Sequence, residues 1–510
     1  MTEQVKQLPY RPQSYWLRSV SLPDFTPLSK SERTQVVVVG GGITGIMAAY
    51  MLAVQGAGVI LIEADRLLHG TTGHTTAKLT AQHGLLYDEL IHHMGVKKAQ
   101  AYYKANADAL AYVADLVTHD AIDCDFSFED AYIYAQSDKT SAQVETEYRA
   151  YEKLGIDGSL CNELPVPISV KSAIMMKKQA QFHPLRFLAH IVKASVKRGV
   201  QVYEHTVAVD LEKGDSLTVV TSLGHKITAD DVLICSHFPF YDRPGWYFTR
   251  MQAERSYIIA AKCQKEYKGG MYLSADTPVR SLRSVQNGDD RLVLIGGESH
   301  KTGQGKDTLL HYKALEEFAK EVLGVTDIMY RWSNQDLTTL DKVPYIGQLA
   351  AGYDHVYTAT GYRKWGMTTG VAAAKLLTDL VFAKDNPYME LYQPSRFYMD
   401  PSLRRFLGQN ANVAAHLIAG KLEAPIRDAF ALDYDEGDVV TYKGVRAGAY
   451  RDESGDLHIV DTTCTHLGCE VQWNHGDRTW DCPCHGSRFS FRGDVVEGPA
   501  KKPLPQLLSP

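Results

Sequence analysis

The strongest constraint on the fold is a glycine-rich turn that stands between an apolar strand and a helix near the start of the chain. Residues 35–39 read Gln-Val-Val-Val-Val, and the next six residues, Gly-Gly-Gly-Ile-Thr-Gly, satisfy the pattern G-x-G-x-x-G. A helical segment over 46–55 and a second apolar run over 59–62 follow. Apolar β-branched runs that flank a glycine turn and a helix are typical of a buried βαβ unit with parallel strands. We therefore predict a Rossmann-like domain in this region.

Each glycine of this turn has a distinct predicted role in binding a dinucleotide. Gly40 makes the tight turn, Gly42 lets the backbone approach a pyrophosphate, and Gly45 lets the helix pack closely on the strand. The free N–H groups and the dipole of the helix N-terminus attract such an anion. Glu63, at the end of the second strand, is placed to accept hydrogen bonds from ribose hydroxyls. The alternative is a glycine turn with a purely structural role.

Residues 34–62 also form an uncharged stretch of 29 residues, long enough to span a bilayer. Its six glycines and its division into strand, helix and strand favour the buried βαβ unit over a membrane span. The formal net charge of −6 argues against bulk attraction to nucleic acid or to anionic membranes. The N-terminal residues show no basic region followed by an apolar run, so we expect no secretory signal. We expect a cytoplasmic protein without a transmembrane segment, and association with a membrane surface is the alternative.

A loop of small residues follows Glu63 and extends to Lys78. Its length suits a backbone that wraps around a flavin better than a short turn between strand and helix. The loop resembles the corresponding segment of the D-amino-acid-oxidase-like flavoenzymes, the family of glycine, sarcosine and dimethylglycine oxidases. Later segments resemble that family in the same order: His183-Pro184 before a helix over 185–197, a strand over 232–236, the run 292–297, and the turn 360–370 before a helix over 372–380. The resemblance spans about residues 34–395 and implies that the cofactor is FAD.

The resemblance also implies which residues contact the flavin. They are two residues of the loop and four of the late turn and helix: Thr72, His74, Gly361, Gly366, Met367 and Thr368. The stretch around His74 is similar to one in the dimethylglycine and sarcosine dehydrogenases, whose histidine bonds covalently to the flavin. A covalent bond from His74 is therefore one interpretation. A polar loop histidine beside a non-covalent flavin is the other.

Candidates for substrate-binding residues follow from the same resemblance, because the family commonly holds a substrate carboxylate with an arginine and shapes the pocket with aromatic side chains. Arg255, Tyr257 and Arg283 lie in strand-like runs of the predicted substrate domain. We take these three as the candidate catalytic residues. The alternative for each arginine is a solvated or structurally paired side chain.

Four cysteines and two histidines cluster near the C-terminus, where short strands replace the long helices. Cys464 and His466 form a C-x-H arm, and Cys482 and His485 form a C-x-x-H arm after 15 intervening residues. Two cysteines and two histidines suit zinc, but zinc fingers usually pair ligands of one kind within an arm. With one of each kind per arm, two thiolates can hold one iron and two imidazoles the other, which is the Rieske [2Fe–2S] pattern. We favour the Rieske cluster over zinc.

By resemblance to Rieske domains, Cys464 and Cys482 ligate one iron, and the two histidines ligate the other. The remaining cysteines, Cys469 and Cys484, resemble the pair that forms a disulfide in the quinol-oxidising respiratory and photosynthetic complexes. Ser487 matches the serine that donates a hydrogen bond to a cluster sulfide in that family.

The predicted architecture is an α/β Rossmann-like FAD-binding domain with an interleaved α+β substrate domain, followed by a small all-β Rieske domain. Four consecutive segments are expected: an N-terminal extension (1–33), the FAD-dependent oxidoreductase (34–395), a helical linker (396–425) and the Rieske domain (426–510). Within the oxidoreductase, the nucleotide domain takes about 34–87, 184–245 and 335–395, and the substrate domain takes about 88–183 and 246–334.

A flavin can pass two electrons together or one at a time, whereas a [2Fe–2S] cluster passes one. A chain that holds both can therefore convert a two-electron oxidation into single-electron transfers. We predict that the chain oxidises a small amine or amino acid by hydride transfer to FAD and passes the electrons through the cluster to an acceptor protein or a quinone. Two alternatives remain open at this point. The cluster could feed a flavin that reduces or hydroxylates a substrate, or the protein could be a non-enzymatic redox sensor or electron carrier.

Overall fold

The computed structural model describes residues 8–9, 11–305, 307–422 and 427–508. An eight-stranded sheet forms the nucleotide domain. In spatial order its strands are Tyr345–Gln348, Val356–Thr360, Lys226–Ile234, Glu32–Val39, Val59–Ile62 and Gln201–Tyr203, and the hairpin of Ala208–Lys213 and Leu217–Thr221 pairs with Lys226–Ile234. Its main helices are Ile43–Val54, Pro184–Lys197 and Gly366–Val381.

The centre of this sheet is the predicted βαβ unit. Glu32–Val39 runs parallel to both Val59–Ile62 and Lys226–Ile234. The valines of the first strand are buried because helices cover the sheet, which explains why the sequence there is apolar at consecutive positions. Residues 34–62 thus form strand, helix and strand inside the domain. None of the helices that the structure describes is long and apolar enough to cross a membrane.

A nine-stranded sheet forms the substrate domain. In spatial order its strands are Val325–Thr339, Met251–Cys263, Asp290–Lys301, Arg280–Asn287, Met271–Ser274, Ser127–Ala135, Ser172–Gln181 and Lys78–Leu79, and Gly158–Cys161 also pairs with Ser172–Gln181. The helices packed around it are Tyr87–Met94, Val96–His119, Asp138–Leu154 and Leu309–Leu323.

The two sheets meet at the chain segments that connect them. The strand Lys78–Leu79 lies within the range predicted for the nucleotide domain, but it pairs with Ala180 and Gln181 of the substrate sheet. Val325–Thr339 begins in the range predicted for the substrate domain and ends beyond it. The connection between domains is therefore made by continuous strands.

The N-terminal segment packs on the loop that follows the second strand. A short helix, Tyr15–Arg18, places the Trp16 indole so that its Nε1 donates to the Thr75 carbonyl over 2.7 Å. Ser14 Oγ donates to the Gly73 carbonyl over 2.5 Å. The extension thereby covers the outer side of the predicted flavin loop.

The C-terminal domain contains two antiparallel four-stranded sheets, as predicted for a small all-β domain. The first consists of Glu436–Tyr442, Val445–Arg451, Leu457–Val460 and Gln506–Leu508, and the second of Gln472–Asn474, Thr479–Asp481, Arg488–Ser490 and Val495–Glu497. A helix, Arg404–Leu422, precedes this domain, with shorter helical turns at Met389–Tyr392 and Met399–Leu403. Residues 423–425 of the predicted linker and residue 426, the first of the predicted Rieske domain, lie outside the described residues. The predicted fold class is confirmed.

Candidate functional site

The glycine turn has the geometry that a bound pyrophosphate requires. Gly40 has a φ of +113°, and a Cβ there would lie 2.5 Å from the Cys235 carbonyl oxygen. A Cβ on Gly45 would lie 1.9 Å from the Gly40 carbonyl oxygen, so this position keeps the helix against the strand. Gly42 is the N-cap of the helix Ile43–Val54 and has no side chain that could block the helix N-terminus.

Glu63 stands beside this turn, at the carboxyl end of the second strand. Its Oε2 accepts a hydrogen bond from the Gly41 N–H over 2.6 Å, and its Oε1 accepts one from the Asp65 N–H over 3.0 Å. Burial raises the pKa of Glu63, and these hydrogen bonds oppose that shift. The carboxylate is thus fixed next to the helix N-terminus, where an acceptor for ribose hydroxyls is expected.

The loop after Glu63 and the late turn are joined by threonines. Thr72 Oγ1 accepts from the Ile43 N–H over 3.1 Å, which ties the loop to the helix N-terminus. Thr368 Oγ1 donates to the Thr80 carbonyl over 2.7 Å, which ties the late helix to the residue that follows the strand Lys78–Leu79 at the end of this loop. Gly361 turns the chain with a φ of +78°, a conformation that favours glycine. A Cβ at this position would lie 2.4 Å from Thr339 Cγ2. The structure thus brings the two predicted flavin-contacting segments together.

His74 closes a 3-10 turn, Thr71–His74, at the wall of the resulting cavity. Its Nδ1 lies 2.9 Å from the Gly70 carbonyl oxygen, so Nδ1 carries the proton and Nε2 keeps its lone pair. Burial lowers the pKa of His74, which favours this neutral form. A neutral imidazole with a free Nε2 is compatible with either interpretation of this residue.

A cavity of about 620 Å³ is enclosed on three sides by the loop, the late turn and the substrate sheet. Representative residues of its walls are His74, Thr76, Lys78, Tyr257, Gly297, Arg363 and Trp365. Two buried polar atoms of its lining, Arg363 Nη1 and Asn334 Oδ1, have no hydrogen-bond partner within the described part of the chain. A guanidinium donor and an amide acceptor without partners fit a ligand with both acceptor and donor atoms, as the flavin ring has. The residues of this site therefore fit FAD.

Lys78 is a buried lysine of the cavity lining that the sequence analysis did not single out. Its Nζ donates to the Tyr272 carbonyl and to Ser281 Oγ, both over 2.7 Å, while the residue lines the cavity. Burial, together with the nearby charge of Arg283, lowers the pKa of Lys78 to about 7. A neutral amine has two N–H groups and one lone pair, so two acceptors use both donors and leave the lone pair available.

Of the three predicted substrate-binding residues, the structure places only Tyr257 on this cavity. Its hydroxyl lies 2.9 Å from His300 Nε2. Arg255 instead has a side chain only 1% exposed and forms ion pairs with Asp477 over 2.8 Å and Glu497 over 3.4 Å, both in the C-terminal domain. Arg283 hydrogen-bonds main-chain carbonyls behind the flavin loop. Neither arginine is located where it could hold a substrate carboxylate in this cavity, because the side chain of each is committed elsewhere.

The predicted cluster ligands converge at the tip of the C-terminal domain. The rings of His466 and His485 lie with centroids 5.0 Å apart, and the Nδ1 atom of each is buried without a hydrogen-bond partner in the described residues. Burial lowers the pKa of His466 to about 4 and that of His485 to about 3, so both imidazoles are neutral. A hydrogen bond from Cys482, followed by backbone N–H groups, lowers the pKa of Cys464 to about 7. Two neutral imidazoles and two adjacent thiols fit a Rieske cluster.

The surroundings of these ligands also follow the predicted pattern. Cys469 and Cys484 form a disulfide that joins the two ligand-bearing loops, with Cα atoms 6.5 Å apart. Ser487 is fully buried, and its Oγ accepts a hydrogen bond from the Ala500 N–H over 3.0 Å. The disulfide implied by the resemblance is thus present in the structure.

The ligand-bearing loops pack directly on the FAD-dependent oxidoreductase segment (34–395), which we call the flavin domain. Phe248 contacts both ligand histidines, with ring centroids 5.6 Å from His466 and 5.2 Å from His485. Gln335 Nε2 donates to the Gly486 carbonyl over 2.9 Å, next to a cluster ligand. The neighbours of Gln335 in sequence, Asn334 and Asp336, line the cavity. One strand of the substrate sheet therefore connects the cavity wall to a cluster loop.

A buried ionic network fixes this arrangement. Asp477, on a hairpin of the C-terminal domain, pairs with Arg255 over 2.8 Å and with Arg488 over 3.0 Å, and Ser333 also donates to it. Burial alone would raise the pKa of Asp477, but Arg255 and Arg488 outweigh it and lower this pKa to about 2. The carboxylate is therefore ionised at any pH near neutrality, and it bridges the two domains.

Comparison with known proteins agrees with this geometry. Residues 35–380 match the DAO family, described as FAD dependent oxidoreductase, and residues 425–508 match the Rieske [2Fe-2S] domain family. The chain is 49% identical over 496 residues to YhfW of Bacillus subtilis (strain 168), named as a Rieske 2Fe-2S iron–sulfur protein, with 97% of each chain covered.

More distant similarities cover the flavin domain. Gamma-glutamylputrescine oxidoreductase of Escherichia coli (strain K12) is 24% identical over 383 residues, which cover 72% of this chain and 88% of that protein. The crystal structure of glycine oxidase from Geobacillus kaustophilus superposes with a TM-score of 0.61 at 17% identity, and covers 72% of this chain and all of that one.

Replacing Gly45 with alanine tests the close approach of helix and strand at the nucleotide turn. The added Cβ would meet the Gly40 carbonyl oxygen at 1.9 Å, so Gly45→Ala should lose about 1–3 kcal/mol of unfolding free energy and part of its bound FAD. Gly58→Ala is the matched control, because the nearest atom to its Cβ is 3.8 Å away. Urea unfolding and flavin content measure both effects. Equal unfolding free energies for Gly45→Ala and Gly58→Ala would contradict the predicted role of Gly45 in the close packing of helix and strand.

Replacing Cys464 with serine tests the cluster ligands. Cys464→Ser should reduce bound iron and sulfide to background and abolish the Rieske EPR signal, since one iron loses a thiolate. Cys263→Ser, at a free and partly buried cysteine of the substrate sheet, should retain both. Zinc in place of iron in the wild-type protein, or an intact EPR signal in Cys464→Ser, would refute the assignment.

Proposed function

Because this chain belongs to the DAO family of FAD-dependent oxidoreductases and carries a C-terminal Rieske [2Fe–2S] domain, we propose that it oxidises a small amine or amino acid and delivers the electrons through the cluster to an external acceptor. FAD supplies a two-electron hydride acceptor and the cluster a one-electron carrier. The acceptor in this proposal is a redox protein or a quinone. The proposed activity thus converts a hydride oxidation into single-electron delivery.

The observation that carries the proposal is the docking of the cluster loops on the flavin domain of the same chain. Phe248 covers both ligand histidines, and Gln335 joins the Gly486 carbonyl to the strand that lines the cavity. A carrier that served only an external partner would gain nothing from placing its ligand histidines against the neighbouring domain.

The charges around the cavity support an amine or amino acid as the substrate. Arg363, whose Nη1 has no hydrogen-bond partner in the described residues, supplies positive charge for a carboxylate. Lys342 and Lys364 also line the cavity, where they pair with Glu89 over 2.5 Å and with Asp336 over 3.0 Å. The similar proteins whose names state a substrate, a gamma-glutamylputrescine oxidoreductase and a glycine oxidase, also act on amine-bearing molecules.

Lys78 has a place in this chemistry as a proton acceptor. An amine must be neutral before a hydride leaves its α-carbon, because an ammonium has no lone pair to stabilise the developing positive charge. Lys78 lines the cavity, and its lowered pKa provides a neutral amine near pH 7. It can therefore take the proton of a bound substrate ammonium.

The proposal is tested by anaerobic stopped-flow mixing of the holoprotein with a panel of small amines and amino acids. At least one compound should bleach the flavin absorbance, and the cluster EPR signal should then appear. In Cys464→Ser, bleaching should persist within about threefold, while reduction of a one-electron acceptor such as a cytochrome should fall at least tenfold. Cys263→Ser should match the wild type in both steps. A flavin that no amine bleaches, or undiminished acceptor reduction in Cys464→Ser, would contradict the proposal.

The pH dependence of flavin bleaching tests the role of Lys78. In the wild type, the rate should rise with pH through about 7, because only the neutral form of Lys78 accepts a proton. Lys78→Met should be about 10²–10⁴-fold slower at pH 7 and should lack this inflection. Lys78→Arg should be equally slow, since a guanidinium keeps its proton. Lys177→Met is the surface control. A wild-type rate of flavin bleaching in Lys78→Arg would show instead that Lys78 acts through its positive charge.

A further inference from the structure

A second cavity, of about 330 Å³, lies behind the flavin loop, and none of its lining residues lines the first cavity. Trp16 of the N-terminal segment forms part of its wall, together with Gln181, His183 and Arg283 from the interior and Lys268 and Arg291 nearer the surface. The function proposed above uses none of these side chains. Arg283, one of the predicted substrate-binding residues, is the most deeply buried arginine of this lining.

Arg283 is a buried cation that forms no ion pair within the described residues, and the carboxylates of Glu129 and Asp125 act on its pKa only from beyond ion-pair distance. Its side chain belongs to a residue only 3% exposed, and no carboxylate of the described residues lies within 4.0 Å of it. Its Nη1 donates to the carbonyls of Thr76 and Ala77 over 3.2 and 2.5 Å, and Trp16 lies 5.4 Å from the guanidinium carbon. Its Nη2 has no hydrogen-bond partner in the part of the chain that the structure describes. Buried charges are ordinarily paired, so this arginine requires an anion or water in the adjacent cavity.

The other groups of the cavity favour an organic anion. Gln181 is 8% exposed, and its Oε1 has no partner among the described residues, so it requires a donor. The two acids of the lining are already satisfied: Asp125 accepts two hydrogen bonds from Arg186, both over 3.0 Å, and Glu129 accepts from the Gly270 N–H over 2.7 Å. Burial lowers the pKa of His183 to about 3, so its imidazole is uncharged. The lining thus offers excess positive charge and one vacant acceptor.

We propose that this second cavity binds a small carboxylate that carries a hydrogen-bond donor, with the carboxylate at Arg283 and Arg291 and the donor at Gln181 Oε1. A carboxylate supplies the counter-ion that the buried guanidinium lacks, and two oxygens match the planar fork of an arginine. The donor satisfies the vacant amide oxygen. The site is separate from the substrate cavity, but Arg283 connects the two through the carbonyls of Thr76 and Ala77, whose residues belong to the flavin loop.

Isothermal titration of the holoprotein with glycolate, acetate and chloride tests the site. Glycolate carries a hydroxyl donor beside its carboxylate, acetate lacks the donor, and chloride lacks the carboxylate. Glycolate should bind about 2- to 10-fold more tightly than acetate, since one hydrogen bond distinguishes them. Chloride should not compete with glycolate. Equal binding of all three anions would reduce the proposal to a non-specific anion site and overturn it.

Matched variants locate the binding. Gln181→Met removes the vacant acceptor and should abolish the preference for glycolate over acetate, and Arg291→Ala, at an exposed rim residue, should weaken both acids about tenfold. Lys364→Ala, in the substrate cavity, should leave this binding event unchanged. Arg283→Lys, which loses the planar fork, should also weaken the binding of both acids. The outcome is decided by Gln181→Met, Arg291→Ala and Lys364→Ala even if Arg283→Lys does not fold. Glycolate binding that is lost in Lys364→Ala and retained in Gln181→Met and Arg291→Ala would assign it to the substrate cavity and refute the proposal.

Discussion

The ionic contact between Asp477 and Arg255 is the interaction on which the relation between the two redox modules depends. Asp477 lies on a short hairpin of the C-terminal domain, and Arg255 lies in the strand Met251–Cys263 of the substrate sheet, 222 residues away in sequence. Removing one partner of such a buried pair typically costs about 3–5 kcal/mol, because the other charge is left uncompensated. Replacing both with apolar residues can be neutral, so the pair contributes more to the specificity of docking than to its strength.

The ion pairs around Asp477 also fix the orientation of a loop that carries predicted cluster ligands. Arg488 joins Asp477 to Asp481 over 3.0 Å, and Glu497 accepts from both Arg488 and Arg255. Residues 481 and 488 flank the second ligand-bearing loop, so the orientation of that loop is fixed by the same charges that fix the domain. The domain is thereby held with its ligand histidines against Phe248 of the flavin domain. An apolar ring at that position limits the access of water to the imidazoles, and solvent access is one of the factors that set a cluster's potential.

Features that depend on short stretches of sequence could be predicted, whereas features that depend on distant pairs could not. The glycine turn is determined by contacts among residues 35–63, and the cluster site by residues 464–487, so spacing alone indicated both. The placement of Arg255 depends on Asp477, and that of Arg283 on the carbonyls of Thr76, Ala77 and Phe182. No local pattern distinguishes an arginine that holds a substrate carboxylate from one that holds a domain or a loop. Lys78 likewise looks like an ordinary loop lysine until the Tyr272 carbonyl and Ser281 are seen beside it.

Lys78 and Arg283 also show how the two cavities are coupled. Lys78 pairs in register with Gln181 across two adjacent strands, so a residue of the substrate cavity and a residue of the second cavity stand side by side. The charge of Arg283 contributes to the lowered pKa of Lys78. A carboxylate bound at Arg283 offsets that charge, and it must therefore raise the pKa of Lys78 and reduce the neutral fraction of its amine at a given pH. Because an arginine does not release its proton near neutral pH whereas a buried lysine does, the arginine is suited to bind the anion and the lysine to respond to it.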